Sequence, residues 1–195
     1  MLALWMVGAS CAIGTASPAV TPVAGTTSTP VQAASKPRIT PPAVTPPTPP
    51  GTNLPAFKCA DASGGTPGTA NVTAVRVAEQ VGYDRLVLQF DTKVPSYTVK
   101  RQAKPVFKTG GSGQTVTLNG SAGVLVQVHS ASEASTYSGP TDFSHGEFLV
   151  LNEAKNTEDF EGYVSWAVGL SKAACLRAFT LSDPPRLIVD FSTTS

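Results

Sequence analysis

The chain has 195 residues, seventeen prolines, three cysteines and a formal net charge of +1. That length suits one domain of ordinary size, and near-neutrality excludes the clustered basic footprint of a nucleic-acid-binding domain. Eleven of the seventeen prolines lie at or before Pro55, so the folded part is expected to begin near Lys58.

Residues 1–13 read as a signal or lipoprotein-type segment. Leu2-Ala3-Leu4-Trp5-Met6-Val7 is apolar and uncharged, too short to span a bilayer as a helix but suited to the apolar core of an export signal. The usual positively charged start is missing, which points either to a start codon upstream or to an atypical signal. Val7-Gly8-Ala9-Ser10-Cys11 looks like a lipobox, which would make Cys11 the lipid-modified first residue of the mature protein. It departs from that pattern at Gly8, where an aliphatic residue is usual, and an ordinary cleaved signal with an incidental cysteine is the competing reading. Residues 14–57 are Pro-, Thr- and Ala-rich with no acidic residue. Proline removes ladder donors and favours extended polyproline II, so this stretch is expected to be a disordered stalk.

From residue 58 to 195 the pattern is that of strands. After a Gly-rich turn at Ser63–Gly68, Asn71–Val77 alternates as a first strand. Gly82-Tyr83-Asp84 turns into Arg85–Asp91, with Leu86, Leu88 and Phe90 on one face. A polar third strand at Tyr97–Arg101 is expected near a sheet edge. Gln102–Gly113 reads as loop, Thr115–Leu118 as a short strand, Asn119-Gly120 as a turn and Val124–Val128 as a strand. Ala131–Gly146 again reads as loop, and Phe148–Asn152 as a strand ended by an acidic loop at Asn156–Gly162. Tyr163–Leu170 alternates most cleanly, with Val164, Trp166, Val168 and Leu170 on one face and Ser165, Ala167 and Gly169 leaving the other nearly bare. Such a bare face allows another layer to approach closely. Cys175–Leu181 and Arg186–Phe191 complete the set. The last resembles Arg85–Phe90 residue by residue, which predicts two neighbours sharing one core.

This punctuation, with no convincing amphipathic helix, predicts an all-β fold: a small antiparallel β-sandwich or a partly open barrel. Trp166 is expected inside, its alternative being an exposed platform for a sugar. If Cys11 belongs to the signal or anchor, Cys59 and Cys175 form an even pair, and in an exported protein an even pair is most simply a disulfide. Two buried free thiols are the alternative.

Candidate chemistry is sparse. The spacing offers no close ligand pair for zinc, and no phosphate-cradling motif follows Gly110-Gly111-Ser112-Gly113. A Ser-His-Asp set could be drawn from Ser130 or Ser144, His129 or His145, and Asp142, but neither serine has a nucleophile-elbow context. No catalytic residue, metal or cofactor is therefore expected. Asp84, Arg85, Asp183 and Arg186 lead two similar strands and read as turn residues and ion pairs. The nearest thing to a basic patch, Lys93, Lys100, Arg101, Lys104 and Lys108, reads as a solvated face whose functional alternative is an anionic partner. The sequons at Asn71 and Asn119 read as accidental.

Three stretches together resemble the AMIN-like domain: Gly82-Tyr83-Asp84-Arg85, Phe160-Glu161-Gly162 ahead of Trp166–Leu170, and Phe179–Asp190 with its Ser182-Asp183-Pro184-Pro185 turn. The resemblance covers roughly Asn71 to Phe191. It implies a small β-sandwich on an exported bacterial protein, related to non-catalytic AMIN modules that target the cell envelope. The expected partner is a cell-wall polymer or an envelope protein, with no nucleic acid, and with the membrane reached only through the N-terminal anchor. A structural, protein–protein interaction role in an envelope complex is the alternative.

Overall fold

The computed structural model describes residues 53–129 and 137–194. The proposed signal, Cys11 and most of the stalk lie outside the described residues, as does Ser130. Twelve strands are formed among the described residues: β1 (Ala62–Gly64), β2 (Val72–Gln80), β3 (Tyr83–Phe90), β4 (Tyr97–Gln102), β5 (Val106–Lys108), β6 (Thr115–Thr117), β7 (Ala122–His129), β8 (Asp142–Ser144), β9 (Leu151–Phe160), β10 (Tyr163–Leu170), β11 (Leu176–Ser182) and β12 (Pro185–Ser192). They build a six-stranded sheet in the order β1-β4-β7-β10-β9-β8, a four-stranded sheet in the order β11-β12-β3-β2, and a β5-β6 ribbon. All paired strands are antiparallel. None of the sheets closes into a barrel, so the sandwich is the form adopted.

Alternation explains the core. Leu86, Leu88 and Phe90 of β3 and Leu187, Val189 and Phe191 of β12 project from the smaller sheet onto Val99, Val126, Val164, Trp166 and Val168 of the larger. Trp166 is fully buried, edge-on to Tyr137 at 6.1 Å and tilted against Phe143 at 5.8 Å. The two similar strands are neighbours, with Arg85 opposite Asp190 in the ladder. Asp84 points the other way, fully buried, and its Oδ2 accepts hydrogen bonds from the Val150 and Leu151 amides at 2.7 and 2.8 Å. A carboxylate holding two backbone donors stitches the start of β9 to the opposite sheet.

The bare face of β10 is covered from within the chain. The β5-β6 ribbon lies over it, packing Phe107 and Leu118 against Ala167. A Cβ at Gly169 would stand 2.2 Å from the Asn119 carbonyl oxygen and 2.9 Å from Leu118 Cβ, so the ribbon can settle only over a residue without a side chain.

Several local expectations are corrected; Phe148–Val150, read as the start of a strand, lies ahead of β9, which begins at Leu151. Val106–Lys108, placed in a loop, is β5, and Asp142–Ser144, also placed in a loop, is β8. Ala62–Gly64 is β1, so the strand takes in Ser63 and Gly64, which read as turn. These strands have three residues each, too few to display a period of two. Asn156–Phe160, read as an acidic loop, is the second half of β9. The β9-β10 ladder shifts register at Ser165/Trp166, and polar side chains there bond to β10, Thr157 Oγ1 donating to the Ser165 carbonyl at 3.4 Å and Glu158 accepting from Ser165 Oγ at 2.7 Å. β4 does lie near an edge, since β1 pairs with only its first three residues.

The lead-in to the domain is fastened to β11. Lys58 and Leu176 exchange two backbone hydrogen bonds at 2.8 and 2.9 Å, and Cys59 is disulfide-bonded to Cys175.

Candidate functional site

Of the residues that could have formed a hydrolytic triad, the aspartate and both histidines have other contacts. The Asp142 carboxylate accepts from Lys155 Nζ at 2.7 Å. His145 Nδ1 contacts Glu147 Oε1 at 2.7 Å while its ring stacks on Phe148 at 4.4 Å. His129 lies edge-on to Tyr163. Among the described residues no group of three or more His, Cys, Asp or Glu is placed to hold a metal ion.

Three members of the lysine-rich run bond to uncharged groups of the chain itself. Lys93 donates to the Pro67 carbonyl, Arg101 to the Cys59 carbonyl, and Lys108 to Thr115 out on the ribbon. The chain collects positive charge elsewhere. The ladders of the four-stranded sheet place Arg76 of β2, Arg85 of β3, Arg177 of β11 and Arg186 of β12 on the outer face, one on each strand. Four of the chain's six arginines thus share one surface. Among the described residues of these strands the outer rows contain a single carboxylate, Asp190. Four guanidiniums against one carboxylate leave a surplus of three positive charges on a chain whose net charge is +1.

Asp190 organises the middle of this face. Arg85 donates to it through Nε and Nη2 at 2.6 and 2.9 Å, and Arg177 through Nε at 2.7 Å. The Asp190 side chain is fully buried, whereas those of Arg177 and Arg85 are 10% and 22% exposed. The hydrogen bond to Asp190 raises the Arg85 pKa above its ordinary value, and burial only partly opposes it. Arg85 is therefore a permanent cation.

Aromatic rings hold both guanidiniums in place. The Arg177 guanidinium lies 4.3 Å from the Phe57 ring centre and 4.6 Å from that of Tyr83. The Arg85 guanidinium lies 5.1 Å from Tyr83 and 5.7 Å from Phe179. Cation–π attraction at such distances adds about 0.5–2 kcal/mol per contact according to desolvation, and it leaves guanidinium edges available to accepting groups. Neither Nη atom of Arg177 bonds to the described protein. At the flanks, Arg76 Nη2 donates to Gln89 Oε1 at 2.9 Å. Arg186 reaches the carbonyls of Pro184 and Asp183 at 3.2 and 3.3 Å.

Asp84, Arg85, Asp183 and Arg186 thus do frame strand starts and turns, as their sequence positions imply. Reasoning on the sequence missed Arg76 and Arg177. The signal was present in outline, because each arginine occupies an outward position of its own strand, but only the strand order joins them. The resulting face can bind carboxylates or phosphates through guanidinium edges and rest apolar surface on Phe57, Tyr83 and Phe179.

No curated protein matches the chain. Residues 70–193 match the family model of the AMIN-like domain, which spans the sandwich from β2 to β12, and the chain belongs to that family.

Proposed function

We propose that this protein is a non-enzymatic binding module of the bacterial cell envelope that engages an anionic cell-wall polymer through the arginine face of its four-stranded sheet. Membership of the AMIN-like family supports the envelope-related, non-catalytic part of this reading. The observation that carries the rest is the placement of Arg76, Arg85, Arg177 and Arg186 on one face with a single carboxylate. Such a face attracts a repeating anion more strongly than the net charge of the chain would suggest. Cosedimentation of the full chain with purified cell walls tests it. The bound fraction is expected to fall as salt rises, and a protein that stays in the supernatant at every salt concentration refutes the proposal.

The same reading places the domain, residues 58–195, at the end of the stalk of residues 14–57, behind the export segment of residues 1–13. Lipidation of Cys11 would tether it to a membrane surface, and a disulfide suits a protein that meets an oxidising compartment. Intact mass from a host that processes lipoproteins tests this: a mature chain beginning at an acylated Cys11 is expected. A chain cut elsewhere and unmodified would mean a secreted module.

A second reading, an interaction domain within an envelope complex, has one observation in its favour. The nine residues of β2 pair with β3 alone among the described strands, so its other edge can accept an added strand. Recovery of a specific partner from membrane extracts, lost when proline replaces Val75 or Val77, is the expected result.

A further inference from the structure

At the end of the sandwich where β3 finishes and β12 begins, a cleft of about 500 Å³ opens beside the arginine face. Its wall carries the hydroxyls of Thr66, Thr92, Thr180 and Ser182 together with Lys93, and its apolar surface comes from Leu181 and Pro185. We propose that this cleft is a carbohydrate subsite that takes one or two uncharged pyranose units, the neutral part of the polymer whose anionic groups lie on the arginines. As part of that polymer's recognition, the subsite rests on the function proposed above.

The chemistry of the lining selects this ligand class. A pyranose presents hydroxyls at its rim and C–H groups on its faces. Four hydroxyl side chains match the rim, those of Thr66, Thr180 and Ser182 able to donate and to accept and that of Thr92, which donates to Asp91 at 3.2 Å, able to accept, while Leu181 and Pro185 offer a surface to a ring face. Lys93 Nζ already donates to the Pro67 carbonyl at 2.9 Å, which holds the ammonium in place and leaves it further N–H groups for a neutral oxygen. The volume lies in the range of ordinary small-molecule sites.

The cleft is also built rather than incidental. Gly65 has a φ of +87°, and a Cβ there would stand 1.9 Å from the Pro95 carbonyl oxygen. The loop therefore folds against the β3-β4 connection only with glycine at that place. The Thr66 amide then donates to the Val94 carbonyl at 3.0 Å, so the lining is positioned before any ligand arrives, which lowers the ordering cost of binding.

The test is a titration of the full chain, isotopically labelled, with the neutral disaccharides diacetylchitobiose, trehalose and maltose, followed by amide chemical shifts. Saturable shifts at Thr66, Thr92, Thr180 and Ser182 with at least one of them are expected. They should be equal at about 50 mM and about 500 mM salt, because no charge is paired. The double variant Thr66→Ala/Ser182→Ala, at two exposed positions, should weaken binding about tenfold, as loss of two modest hydrogen bonds implies, with the rest of the spectrum unchanged. Absence of shifts with all three sugars, or shifts that fall on the arginine face or vanish in salt, overturns the subsite. Wall cosedimentation run alongside separates the two ideas. A silent cleft with salt-sensitive wall binding removes the subsite alone, whereas cleft shifts without wall binding remove the arginine-face function and leave a sugar site.

Discussion

Replacing Asp190 with asparagine separates what the arginine face needs in order to stand from what it needs in order to bind. The substitution keeps the shape, removes the charge that balances Arg85 and Arg177, and turns one of the two oxygens that accept their three charge-assisted hydrogen bonds into an amide NH2 that cannot accept. Breaking a buried ion pair costs roughly 3–5 kcal/mol. The lower end applies here, about 3 kcal/mol, because Arg85 is 22% exposed and regains some hydration. In a domain of this size that is a fall in melting temperature of about 10 °C. Urea unfolding should show a lower midpoint with an unchanged slope. Below the unfolding transition the variant has four unbalanced guanidiniums, so wall binding should be retained or increased. A loss of stability under about 1 kcal/mol would mean that the pair is solvated like a surface salt bridge, and the account of this face as a preorganised array would be refuted.

Gly169→Val should drive a side chain into the Asn119 carbonyl and Leu118, costing about 2 kcal/mol or more; hydrogen exchange should quicken across β5 and β6, and unaltered protection there would contradict the packing described. Cys59→Ser/Cys175→Ser opens a bridge with a sequence separation of 116, and chemical denaturation should show a loss of about 2–5 kcal/mol. Asp91 should titrate below the ordinary aspartate range: burial works against its charge, but hydrogen bonds from the Asn71 side chain and amide and from Thr92 outweigh it. A depressed carboxylate pKa stabilises the fold above its unfolded value and loses that contribution as pH falls through the folded one. Carboxyl NMR titration of Asn71→Ala should accordingly show the Asp91 value rising towards normal.

The parts of this fold that were legible in the sequence are those with enough residues to show a period. Tyr163–Leu170 was read with the bounds it has in the structure, and its bare face foretold a close layer without saying which segment supplies it. The likeness of Arg85–Phe90 to Arg186–Phe191 foretold their adjacency, because strands that bury the same pattern share a core. Strands of three residues left no such trace. In β9 a register shift interrupts the alternation, and its polar residues bond to β10, so the strand looks like a loop. The arginine face was hidden for a different reason. Arg76, Arg85, Arg177 and Arg186 are two pairs from opposite ends of the domain, and a charge count along the chain finds the lysines of 93–108 first. Only the order β11-β12-β3-β2 turns four isolated outward positions into one surface.

The central claim is that this surface binds the wall by its charge, and the most direct measurement is cosedimentation with purified cell walls of the double variant Arg76→Glu/Arg186→Glu. These two arginines flank the Asp190 cluster without belonging to it, and reversing both turns a surplus of three positive charges into a deficit of one. The account predicts that the variant keeps the unfolding free energy of the parent to within about 0.5 kcal/mol and stays in the supernatant at a salt concentration where the parent pellets. A variant that pellets like the parent, with the same dependence on salt, would contradict it.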